Sequence, residues 1–106
     1  MYISIHLNSD LSPTWSGTQI FYTNKNEQNK EVAQKIQEKF KEELKIKREI
    51  KQLKNMYLFD RIKKPGILIE TGFISNPNDR YKLKQSNYQQ QIAQIITKGI
   101  IKYYEK

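Results

Sequence analysis

The chain has 106 residues, enough for one domain with a modest core, and carries 19 Lys and Arg against 11 Asp and Glu for a net charge of +8. It has no cysteine, so disulfides and thiolate metal ligands are excluded, and no apolar run approaches the roughly 20 residues that span a bilayer. The positive charge favours anionic partners such as nucleic acid, anionic lipid or a polyanionic wall, but the basic residues are spread over helical stretches rather than gathered in one block, as on an ordinary solvated surface.

The first element is predicted over residues 2–8, where Ile3, Ile5 and Leu7 alternate with Tyr2, Ser4, His6 and Asn8. A period of two makes this a strand with its aliphatic side buried, and puts the only histidine, His6, on the same face as Asn8. Ser9 to Gly17 is rich in turn formers and reads as a loop, and Thr18 to Tyr22 has the β-branched and aromatic content of a second strand. Asn24-Lys25-Asn26 can cap the helix that follows. From Glu27 onward Val32, Ile36, Phe40 and Leu44 recur every four residues with Ala33 beside them, and Glu27 and Glu31 suit the positive end of the helix dipole. Residues 45–55 fit either a second helix or an irregular excursion.

Met56 to Phe59 is a short apolar run, strand or helix turn, and Asp60 to Lys64 a charged connector closed by Pro65-Gly66. Gly66 to Glu70 is predicted as a buried strand and 71–75 as a loop. Asn76 is placed to cap a helix with Pro77 in its first turn and Asp79 close behind. Ser86-x-x-Gln89 has the spacing of a capping box and opens a terminal helix with Tyr88, Ile92, Ile95, Ile96, Ile100 and Tyr103 on one stripe. Strands interleaved with helices predict an α/β layer fold in one domain.

Two polar groups at strand ends stand out. A lone histidine such as His6 is commonly structural, but a neutral imidazole is also a zinc donor. Glu70 follows four residues of apolar or glycine character, and burial there would raise its pKa toward the range of a general base; an exposed carboxylate paired with a lysine is the plainer alternative.

The motifs Ser4-Ile5-His6-Leu7-Asn8, Trp15-Ser16-Gly17-Thr18-Gln19-Ile20-Phe21-Tyr22 and Ile69-Glu70-Thr71-Gly72-Phe73-Ile74-Ser75-Asn76 resemble the type 3 family of zinc-dependent N-acetylmuramoyl-L-alanine amidases, which remodel peptidoglycan. Asp79, Leu83, Arg48, Lys51, Asn55-Met56-Tyr57-Leu58 and Pro65 continue the likeness, which runs over essentially the whole chain and is nearest to the sporulation and germination amidases of spore-forming Gram-positive bacteria. The resemblance implies a three-layer mixed sheet flanked by helices, His6 as the last zinc-binding histidine, Glu70 as the catalytic glutamate, and Asn8, Arg48 and Asn76 as candidates for substrate contact or for supporting the site. It implies Zn2+ as cofactor, peptidoglycan as partner and action outside the cytoplasm or at the cell wall. Two departures accompany it. The family's first zinc histidine and its zinc glutamate have no counterpart here, and Asp60 stands where members carry a basic residue, with Arg61 beside it. The expectation is therefore residues 1–106 as the C-terminal part of an amidase domain, lacking the first strands of the sheet, with its remaining ligands upstream of Met1 and impaired in isolation. A missing N-terminal segment or accessory protein becomes a candidate partner. The competing reading is a non-catalytic module that binds wall or protein. A nucleic-acid binder leaves the Glu-Thr-Gly-Phe block without a role.

Overall fold

The computed structural model describes residues 2–8, 17–23, 27–53 and 66–105. Four strands form one mixed sheet: β1 (Ile3–Asn8), β2 (Gln19–Tyr22), β3 (Lys51–Gln52) and β4 (Ile67–Phe73), in the order β1-β4-β2-β3. β1 runs parallel to β4, β2 antiparallel to β4, and β3 parallel to β2. The helices are α1 (Glu27–Leu44), α2 (Pro77–Leu83) and α3 (Ser86–Tyr104). This is the α/β sheet with flanking helices that the sequence predicts.

The core lies between the sheet and the α1–α3 pair. Ile20, Ile67 and Ile69 from the sheet meet Val32, Ala33, Ile36 and Phe40 of α1 and Ile92, Ile95, Ile96 and Tyr103 of α3. These are the positions that the four-residue spacing of α1 and the terminal stripe of α3 select, with Leu44, Tyr88 and Ile100 only partly buried. Each such large aliphatic or aromatic side chain contributes about 1.5–3 kcal/mol by leaving water. The other sheet face carries a smaller cluster, Leu53 and Leu68 with Tyr2 and Phe21 against them. Buried polar groups tie the strands to α1: Thr23 Oγ1 accepts from Gly66 N at 2.8 Å and from Asn29 Nδ2 at 3.0 Å.

Three expectations need correction. β4 does not stop at Glu70 but continues through Thr71, Gly72 and Phe73, all buried. The extension is held from both sides, since Phe73 is the register partner of Asn8 and its N–H donates to Asp79 Oδ2 at 2.9 Å. Second, the aliphatic face of β1 is covered only at Ile3, which packs on the core; Ile5 and Leu7 are 57% and 52% exposed. β1 is an edge of the sheet, and beyond Ile3 no helix closes over it among the described residues. Third, Ser86 is the first helical residue of α3 rather than its cap, because only Lys84 and Gln85 separate α3 from α2; Gln85 takes the cap position without a side-chain cap bond. Of the two alternatives for residues 45–55, residues 45–50 take the irregular one and lead into the two-residue β3. Lys45 turns the chain with a left-handed φ of 54°. The readings at 9–16, 24–26 and 54–65, including Met56 to Phe59, Asp60 and Arg61, lie outside the described residues.

Candidate functional site

The sheet register brings the two singled-out groups side by side. His6 pairs with Glu70 across the parallel β1–β4 ladder, and Gln19 pairs with Glu70 across the antiparallel β2–β4 ladder. Adjacent strands lie about 4.8 Å apart, so His6, Glu70 and Gln19 form a row across three strands. Alternation along β4 puts Ile67 and Ile69 into the helical core and Leu68 and Glu70 on the opposite face. The row is therefore on the face away from α1 and α3.

Each member of the row is positioned by its neighbours. Ser4, two residues earlier on β1 and on the same face, places its hydroxyl 2.6 Å from His6 Nε2, which fixes the plane of the ring. Thr71 Oγ1 donates to the His6 carbonyl at 3.2 Å and steadies the strand where the register slips between His6 and Asn8. Glu70 is fully buried. Gln19 Nε2 donates to the carbonyls of Ile20 and Glu49, at 3.2 and 3.0 Å, and so ties the segment after α1 to the row.

Arg48 is on that segment. Its carbonyl accepts from Gln37 Nε2 of α1, and its guanidinium carbon is 5.2 Å from the centroid of the Phe73 ring, a cation–π contact at the end of β4. Arg48 is thereby brought to the strand that carries Glu70, three residues further along. Asn76 has a structural assignment: its Oδ1 accepts from Asn78 N at 2.9 Å and Asp79 N at 3.1 Å, capping α2 as the sequence predicts. Asn8 is in register with Phe73, and its side chain lies outside the described residues.

Two residues gain a role that sequence reasoning did not assign. Gln19 is buried in the row; its alternation with Ile20 in β2, polar against apolar, is the signal that marks it. Asp79 is also buried, and its Oδ2 accepts from both Phe73 N and Gly17 N at 2.9 Å, joining the end of β4 to the start of the β2 segment. Nothing in the sequence announces that second bond, which spans 62 positions.

A catalytic zinc site takes three protein ligands. Among the described residues no three His, Cys, Asp or Glu side chains lie together, and the whole sequence has one histidine and no cysteine. His6 fits as one donor, half-buried and with its ring held by Ser4. The chain's described residues do not complete the set.

Comparison with known proteins gives a consistent set of relatives. Residues 1–102 match the family described as N-acetylmuramoyl-L-alanine amidase. The chain is 43% identical over 105 residues to the germination-specific N-acetylmuramoyl-L-alanine amidase of Bacillus subtilis, covering 98% of this chain and 44% of that protein. It is 33% identical to the B. subtilis amidase LytC, with 98% and 21% covered. Among solved structures, the CwlD amidase of Clostridioides difficile, determined in complex with the GerS lipoprotein, superposes with a TM-score of 0.84 at 36% identity, covering 97% of this chain and 53% of that one. The chain thus spans about half the length of these relatives or less.

Proposed function

The chain belongs to the N-acetylmuramoyl-L-alanine amidase family, and on that premise we propose that it serves a peptidoglycan hydrolase cutting the amide between N-acetylmuramic acid and L-alanine, with Glu70 as the base and His6 as one zinc ligand. The observation that carries this reading is the pairing of His6 with Glu70 in one register position on one sheet face. An imidazole donor and a carboxylate on adjacent strands and one sheet face support a reading in which one holds a metal while the other serves the water beside it.

Zinc bound at His6 would supply Lewis-acid polarisation of the scissile carbonyl and acidify the attacking water. The chain's own contributions are three. His6 offers one ring nitrogen while Ser4 holds the ring. Glu70 takes a proton from water and returns it to the departing amine of alanine. Its full burial keeps bulk water from competing for that carboxylate. Among the described residues no three His, Cys, Asp or Glu side chains lie together, so His6 is the one ligand this reading assigns. The 106-residue chain alone therefore binds zinc weakly and hydrolyses little. The site of action is the cell wall, outside the cytoplasm; no helix among the described residues is long and apolar enough to cross a membrane. The CwlD structure contains a lipoprotein partner, and an accessory protein is a fitting source of help for this chain as well.

The test is release of peptide from purified muropeptides with zinc added. The chain alone is expected to release almost none. A complementing amidase segment is expected to restore hydrolysis, which Glu70→Gln then abolishes by a factor of at least about 100. Robust zinc-dependent release by the 106-residue chain alone would sink the reading. Wall binding that survives both Glu70→Ala and His6→Ala, with no activity under any complementation, would favour the non-catalytic module.

A further inference from the structure

Two buried amides hold the segment that carries Arg48. Residues 45–50 have no regular structure, so the place of Arg48 is set by what grips its backbone. β3 pairs with β2 through Lys51 with Phe21 and Gln52 with Tyr22. Carried two residues back, that parallel register would set Glu49 opposite Gln19, but β3 is only two residues long. The Gln19 side chain spans the gap instead, its Nε2 donating to the Glu49 carbonyl at 3.0 Å. From α1, Gln37 Nε2 donates to the Arg48 carbonyl. Two consecutive carbonyls are thus taken by two glutamines on different elements.

Gln37 is the more telling of the pair. It is fully buried, on the side of α1 that also carries Ala33, Ile36 and Phe40. Its Oε1 is buried with no hydrogen-bond partner. The opposite amide orientation would only set that oxygen against the carbonyl oxygen of Arg48. A bare amide oxygen in a core costs stability, and one neutral bond to a half-buried residue returns little of it. Methionine or leucine has the same helix propensity and would leave no orphaned oxygen. Stability alone therefore disfavours glutamine here, whereas geometry uses it.

We propose that Gln37, with Gln19 beside it, is a positioning residue for Arg48: the two amides pin the turn after α1 so that the guanidinium stays on the ring of Phe73, at the end of the strand that carries Glu70. The proposal rests on the amidase reading, which makes Arg48 a candidate for substrate contact near Glu70. The link to the site is short, because Gln19 is both the register partner of Glu70 and the holder of Glu49. The turn needs such a grip. Lys45 opens it with a left-handed φ, uncommon for lysine, so the local sequence does not favour this path. Ile46 and Ile50 pack only partly on the core, and the Lys41–Glu49 pair is exposed, where ion pairs contribute little.

The experiment replaces Gln37 by methionine, which keeps the side-chain length and removes the donor, with Gln37→Leu as a second variant. Both are expected to melt within about 4 °C of the parent or above it, and a larger fall would make Gln37 a structural residue and overturn the proposal. NMR of the 106-residue chain reads the positioning directly. Arg48 side-chain protons over the Phe73 ring, assigned by their contacts to the ring protons, are displaced upfield, and the displacement should shrink in both variants. In the chain complemented by an amidase segment, Gln37→Met should lower kcat/KM about fivefold, the loss of positioned population that one neutral hydrogen bond controls. It should have no further effect once Arg48 is alanine, because a positioning residue acts only through the group it places. An upfield displacement unchanged in both variants, or an equal loss of kcat/KM in the Arg48→Ala background, would overturn the proposal. If no complement ever restores hydrolysis while the displacement depends on Gln37, the amidase reading fails and the hold on Arg48 stands.

Discussion

Gly99 offers a demanding test of how α1 and α3 meet. A Cβ built there would lie 2.5 Å from Ile36 Cα, 2.7 Å from Ile36 Cγ1 and 2.9 Å from Ile36 N. Two of those three atoms are backbone, so a rotamer change cannot make room and the helices must part. Parting them loosens Val32, Ile36 and Phe40 against Ile95, Ile96 and Tyr103. Overpacking of this kind costs about 1–3 kcal/mol, and a backbone obstacle places Gly99→Ala toward the upper end. The gain in helix propensity from Gly to Ala returns about 1 kcal/mol. The net loss is about 1–2 kcal/mol, or a fall in melting temperature of about 5–15 °C for a chain of this size. Thermal and urea unfolding followed by circular dichroism read it directly. Ile36→Ala should not rescue Gly99→Ala, because it removes only Cγ1 and leaves the two backbone atoms. A variant that melts at or above the parent temperature, or a rescue by Ile36→Ala, would refute the close backbone approach.

Four further outcomes are expected. Asp79→Ala orphans the Phe73 and Gly17 N–H groups and should cost about 2–4 kcal/mol in urea unfolding, whereas a loss under about 0.5 kcal/mol would mean those bonds hold nothing together. Thr23→Val keeps the shape but removes the acceptor for buried Gly66 N and for Asn29, and should cost about 1–3 kcal/mol. Asn76→Ala should cost about 1 kcal/mol through the cap of α2, and Asn76→Asp much less; equal losses would show that the cap is not the cause. Burial, and then the negative charge of Asp79, raise the pKa of Tyr88; the unfolded chain loses that proton first, so stability should fall as pH rises above the unfolded value of 10.0 and be unaffected by this group below it. Tyr88→Phe should flatten that part of the profile, and a profile unchanged by the substitution would count against the shift.

What could be read from the sequence was whatever depends on period and local chemistry. The four-residue spacing of Val32, Ile36 and Phe40 names the buried side of α1 correctly, and Asn76-Pro77 marks the start of α2 because cap bonds are local. The end of β4 was missed because Thr71-Gly72-Phe73 has loop-like composition, and only distant partners, Asn8 and Asp79, keep it extended. The hold on Arg48 was illegible for a similar reason. Lys45 adopts a left-handed φ that its residue type does not announce, and Gln37 reaches the Arg48 carbonyl across that turn from 11 positions away. For the site itself, His6 and Glu70 could each be singled out as polar groups on apolar strands, but their adjacency is a property of register, which the sequence of either strand does not specify alone.

The open edge of the sheet and the one histidine are on the same strand. β4 occupies one edge of β1, and among the described residues no strand occupies the other. On that strand Ile5 and Leu7 stand half exposed beside a groove that Thr71, Leu83, Gln89 and Ile92 also line. An uncovered aliphatic edge of this kind is costly and prone to pair with another chain. His6 is on this same strand, between the two exposed aliphatics. A segment that covered the open edge would satisfy free backbone groups, bury Ile5 and Leu7, and arrive beside His6, the imidazole of the proposed zinc site. Packing around Glu70 needs no such help, since β1 and β2 already flank it. Ile5→Thr with Leu7→Thr should therefore change the stability of the chain alone by less than about 1 kcal/mol, because those side chains are already wet, yet weaken complementation by an amidase segment sharply. Unchanged complementation would mean that the complementing segment does not dock across the open edge of β1.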